Sequence, residues 1–244
     1  MASETEPRSW MDGQRKKAQA AGLAPKPTLW DGLYAALLIV LTDLGTSVGV
    51  VLGGLAFGTT GALATSLVTS IAVATTAFWF LFLRRWTWHD LGFRPGRHSL
   101  WHLTWQIPVV VALTTLLFTT IGLALNVMSL RPGTGPQAQI SPETPYGLIL
   151  VLVPSLVLAP IQEILFRRIL LDWLLQYMPI LAAAGITVVI FAAVHLDATA
   201  ILYSLLLGVA LTAARLWYGN LWAPVIMACV VDATVLGIVL PYFS

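Results

Sequence analysis

Charged side chains are scarce in this sequence: they make up 10% of its 244 residues, against about 25% in an ordinary soluble domain. With 58% hydrophobic residues and a mean hydropathy of +0.84, the chain cannot cover a water-facing surface, and a soluble globular domain is excluded. Cysteine is nearly absent. Cys229 stands alone in an apolar run, which excludes a disulfide framework and a cysteine-based metal site. A net charge of +2, with no basic run and no stacking platform, excludes nucleic acid as a partner. No internal repeat is visible, which argues against a transporter built from inverted halves. The first 28 residues lack the short apolar core of a signal peptide, and their acids argue against a mitochondrial presequence. They read as a polar cytoplasmic tail; a helical turn or two lying on the membrane around Trp10 and Met11 is the alternative.

What the chain has instead is long apolar runs, and about 20 such residues cross a bilayer. Residues 29–244 form a membrane domain with candidate spans at Leu29–Gly53, Gly61–Leu83, Leu100–Leu125, Tyr146–Met178, Pro179–His195, Ala198–Leu216 and Trp222–Tyr242. The expected fold class is an all-α polytopic membrane helical bundle of about seven transmembrane helices, with eight as the alternative count. The fourth run is too long for a simple span. It contains Pro154 and Pro160, which predicts a kink, or one span followed by a short helix at membrane level. With the N-terminus in the cytoplasm, every one of the 13 Lys and Arg residues except Arg131 falls on the inner side, a strong positive-inside bias. The expected location is the inner (cytoplasmic) membrane, multi-pass, with lipid as the surrounding partner. Trp30, Trp86, Trp88, Trp101 and Trp105 cluster near span ends, where interfacial aromatics belong.

Ionisable residues at membrane depth are candidates for function. Here they are Asp43, Glu163 with Arg167 and Arg168, Asp172, His195, Asp197 and Asp232. In "PIQEILFRR", Glu163 and Arg167 are four apart on a helix, with the acid on the N-terminal side, the favourable order for an ion pair. This pair reads as a self-neutralising structural strut. Gln162 is turned about 100° from Glu163 and can serve instead as an inter-helix hydrogen-bonding group. "FAAVH" puts Phe191 and His195 on one face, and a lone histidine there is more often a bonded core residue than a catalyst. Asp232, inside the last span, needs a donor partner or stays protonated. Asp43 reads as a structural inter-helix bond.

The succession "LAPIQEILFRRILL", "ITVVIFAAVHL" and "GNLWAPVIMACVVDA" resembles the CPBP family, the CAAX-protease and bacteriocin-processing (Abi) intramembrane proteases. The family pattern is Glu-Glu-x-x-x-Arg, then Phe-x-x-x-His, then His-x-x-x-Asn or Asp. The likeness covers residues 84–244, where "RRWTWHDLGF" and "LYSLLLGVALTAARLWYGNLWAP" are supporting matches. The resemblance implies a CAAX-protease-like helical fold with a polar cavity. In it a glutamate and a histidine activate water for peptide-bond hydrolysis, and the last motif holds the oxyanion or orients the water. On this sequence the first Glu falls on Gln162, the second on Glu163 and the arginine on Arg167. Phe191 and His195 complete the second motif. The third motif's histidine falls on Ala228, and its acid on Asp232.

Gln162 and Ala228 are therefore departures at positions expected to carry chemistry. A carboxamide cannot act as a general base, and a methyl group can neither donate to an oxyanion nor ligate a metal. Losing one oxyanion donor costs a hydrolase about 10²–10³-fold in rate. A metal held by Gln162, His195 and Asp232 would be bound feebly, because an amide is a poor zinc ligand. No cofactor is expected, and a divalent metal only if the chain is a protease. The sequence supports a CPBP-family protein without proteolytic activity that binds a membrane partner or serves as a scaffold subunit of a complex. The alternatives are a working intramembrane endopeptidase, glutamic or metallo-type, with an altered site, and an unrelated transporter.

Overall fold

The computed structural model describes residues 27–127, 156–194 and 198–234. The rest of the N-terminal tail, Arg131, Pro154, His195, Asp197 and the last predicted span beyond Thr234 lie outside the described residues, as does the side chain of Asp43. The described residues are helical and include no strand. The first helical run, α1 (Leu29–Arg84), starts at a capping box: Asp31 N donates to Thr28 Oγ1, and Thr28 N donates to Asp31 Oδ2 at 2.7 Å. It ends on Arg85, a non-glycine residue in the left-handed region at φ 52°, whose N–H donates to Leu81 and Phe82.

A straight helix would hold Asp31 and Arg84 about 80 Å apart. Yet Arg84 Nη2 donates to Asp31 Oδ2 at 2.6 Å, and the Tyr34 and Phe80 rings stack with centroids 4.0 Å apart. The run therefore doubles back as a hairpin whose two arms correspond to the first two predicted spans.

A 3₁₀ turn, Leu100–His102, capped by Ser99, leads into α2 (Leu103–Val127). Next come α3 (156–174), α4 (Ile180–Ala193), α5 (Ala198–Tyr218) and α6 (Trp222–Thr234). The fourth predicted span corresponds to α3, but its irregularity is not a break at Pro160. The helix continues through Pro160 and widens to a π-helix over Ile164–Leu170, then returns to α over Leu171–Leu174. All seven residues of the π section are buried. A helix buried on every side is a central one, and α1, α4 and α5 sheath it: α1 and α4 pack on the π section and α5 packs on α4. Windows Leu67–Arg84, Leu100–Leu117 and Ile201–Tyr218 are long and apolar enough to cross a membrane. α3, with Glu163, Arg167, Arg168 and Asp172, is held inside the bundle instead.

Candidate functional site

The site grows from the start of the π section. Arg167 Nη1 donates to Glu163 Oε1 at 2.7 Å, with the side chains 0% and 1% exposed. The guanidinium carbon also lies 4.2 Å from the centroid of the Phe191 ring, which packs edge-on against Phe166 at 4.9 Å. Phe191 of α4 is thus the apolar lid of the ion pair, and its ring quadrupole adds a cation–π attraction to the charge it covers. Gly208 of α5 admits that ring: a Cβ there would stand 3.0 Å from Phe191. Among the described residues, Glu163 Oε2 and Arg167 Nε and Nη2 are buried without a hydrogen-bond partner. Gln162, half-buried on the same helix, takes no part in the pair.

The last motif comes to the same place from α6. The Asp232 carboxylate lies within electrostatic reach of both Glu163 and Arg167. Its Oδ1 accepts from Tyr203 Oη at 2.6 Å, so the donor that a buried acid requires comes from α5. Tyr203 was not among the residues picked from the sequence; a phenol in the otherwise apolar "AILYSLLLG" was the signal available. Ala228, one turn before Asp232, is 3% exposed and belongs to the apolar core. Cys229 also lies within electrostatic range of Asp232 and Glu163.

Thus Glu163, Arg167, Phe191 and Asp232 converge, with Tyr203 added; His195 and the side chain of Asp43 lie outside the described residues. Among the described residues no group of three His, Cys, Asp or Glu side chains is placed to hold a metal. In the trio Gln162, His195 and Asp232, the Asp232 oxygen nearest the phenol is already engaged.

A second ionic layer abuts the first. Arg168 Nη1 and Arg215 Nη2 each donate to Asp172 Oδ2 at 2.8 Å, and Arg215 Nε reaches the Arg167 carbonyl at 3.4 Å. Arg168 Nε donates to the Asp90 carbonyl at 2.6 Å, and its guanidinium lies over Trp86 at 5.2 Å. The loop "RRWTWHDLGF" is thereby pinned to the charged helix. Thr87 and Asp90 close a turn within it, with Thr87 N and Oγ1 both donating to Asp90 Oδ2 at 2.9 Å. Gly92 follows at φ 91°, its carbonyl accepting from Leu221 N at 2.8 Å. A Cβ at Gly92 would sit 3.6 Å from Leu221 and strain the backbone.

Chemically, this is a neutralised buried pair with one carboxylate oxygen and two N–H groups to spare, beside a phenol-bonded acid. The Rce1-like family, described as type II CAAX prenyl endopeptidase Rce1-like, matches residues 144–234. That segment holds Gln162, Glu163, Arg167, Phe191, His195, Ala228 and Asp232. No curated protein and no solved structure matches the chain. Through residues 144–234 this chain is similar to the CAAX-protease-like membrane proteins of the CPBP family, and the helical fold of the described residues agrees with that likeness.

Proposed function

We propose that this protein is a CPBP-family membrane protein without proteolytic activity, which uses its motif-lined interior to bind a membrane protein partner or to anchor a complex. One observation carries the reading: the only carboxylate of the first motif, Glu163, is locked 2.7 Å from Arg167 beneath Phe191. An acid paired in this way has one oxygen committed to the guanidinium, and the neighbouring position that should supply a base is the amide of Gln162. Opposite, the buried methyl of Ala228 stands where an oxyanion donor is required. The polar residues that remain are engaged in holding helices together, which suits a rigid binding frame. The test is incubation of the purified protein with a prenylated CAAX-type peptide and with other membrane-peptide substrates. The expected outcome is no cleavage above background, unchanged in His195→Ala. Cleavage that disappears in His195→Ala would overturn the reading.

A second reading, an altered but working endopeptidase, is favoured by the unpartnered Glu163 Oε2, an oxygen free to hold a water. Its activity would require Glu163 to act as base despite Arg167, so Glu163→Gln would abolish cleavage in the same assay.

A further inference from the structure

Four arginines gather where the loop 85–99 meets the ends of α3 and α5, and the described carboxylates of that corner are already engaged. Arg168 and Arg215, 3% and 8% exposed, share a single oxygen of Asp172. Asp90 is 3% exposed and turns its carboxylate to Thr87, while its main-chain carbonyl accepts from Arg168 Nε. Arg94, half-buried on the same loop, lies within electrostatic range of Arg168. Arg97 is exposed, and its guanidinium stem runs along Gly219. Among the described residues, Arg94, Arg97, Arg168 and Arg215 thus stand against Asp90 and Asp172, an excess of positive charge in a partly desolvated corner.

Beside it runs an aromatic ladder. Trp88 meets Phe93 edge-on at 5.4 Å, and Phe93 meets Trp222 at 4.9 Å. Trp88 and Trp222 are 62% and 46% exposed. Exposed tryptophans of this kind suit the headgroup level of a bilayer, and with Trp88 and Trp222 at that level Arg94, adjacent in sequence to Phe93, would stand near the lipid phosphates. Basic pockets between transmembrane helices at that depth take anionic headgroups.

We propose that Arg94 is the contact residue of a phosphate-binding site for an anionic phospholipid headgroup, with Arg168 and Arg215 supplying the field behind it and Trp88 and Trp222 flanking the acyl chains. Arg94, Trp88 and Trp222 are not motif residues, and the proposal is independent of whether the chain hydrolyses peptides. The site's occupant would hold the loop against α3, because Arg168 joins the two.

The test places the full-length protein in phosphatidylcholine nanodiscs doped with bromine-labelled phosphatidylglycerol or bromine-labelled phosphatidylcholine, and follows quenching of tryptophan fluorescence. Half-maximal quenching is expected at a several-fold lower mole fraction of phosphatidylglycerol than of phosphatidylcholine. That preference should weaken about fivefold in Arg94→Ala, one basic residue near the surface being worth about 1 kcal/mol, and return in Arg94→Lys. Inorganic phosphate in the buffer separates the two sources of the anion. A preference that survives it assigns the site to the lipid, and one that it erases keeps the site but makes free phosphate the ligand. Equal quenching by both lipids, or a preference that Arg94→Ala leaves intact, overturns the proposal.

Discussion

At Glu163 and Arg167 two charges occupy space that lipid and apolar side chains surround, and each makes the other tolerable. Desolvation of either ion alone costs several kcal/mol, so the short contact at 2.7 Å and the Phe191 face are what keep them there. Gln162 and Ala228 mark the opposite case: where the resembled motif has a carboxylate and an imidazole, this chain has groups that need little compensation. If those two positions alone account for an idle site, Gln162→Glu with Ala228→His should restore His195-dependent cleavage of a CAAX-type peptide. Each single change should remain at least about 10²-fold below the double variant, the scale of one missing oxyanion donor. Silence in a folded double variant would mean that the surrounding geometry has also drifted. The spacing alone made the Glu163–Arg167 pairing legible, because four residues on a helix bring side chains together whatever the rest of the chain does. It could not reveal that Tyr203, 29 residues from Asp232, supplies that acid's donor.

Among the elements, α3 departs furthest from an ordinary membrane helix. Its run over Ile164–Leu170 is wound as a π-helix and buried on every face, a winding that in short stretches often accompanies functional sites. Apolar composition predicted a span here, but composition cannot distinguish a helix in lipid from one sheathed by its neighbours. α3 carries its charges inward, so its stability should depend on the pair rather than on either member. Arg167→Met alone should cost about 3–5 kcal/mol by leaving a buried carboxylate uncompensated, read as a large loss of thermal stability in detergent. Glu163→Leu combined with Arg167→Met should recover most of that loss. A double variant as unstable as the single one would show that Arg167 holds something other than Glu163. The loop 85–99 is bound to this same element through Arg168. Its Thr87–Asp90 turn, the positive φ of Gly92 and the surface it docks on came from the structure, the sequence having marked "RRWTWHDLGF" only as a supporting match.

For the molecule as a whole, the decisive contact is between the ends of α1. Tyr34 and Phe80 would lie about 70 Å apart along a straight helix, yet their rings stack at 4.0 Å. Cysteines placed at Tyr34 and Phe80, in a Cys229→Ser background, should therefore form a rapid intramolecular cross-link with a short bifunctional maleimide. Failure to cross-link in a folded, monodisperse protein would rule out the hairpin and the packing built on it. Membership of the membrane class, the helical fold and the order of the three motifs were determined by the sequence itself. A bilayer admits only segments that satisfy their own backbone, and composition and spacing record that demand directly. Tertiary structure alone decided which helix is central, that Phe191 covers Arg167, that Tyr203 answers Asp232, and that Arg168 and Arg215 share Asp172. Such contacts join residues far apart along the chain, and their energies depend on distance and desolvation, neither of which a linear pattern contains.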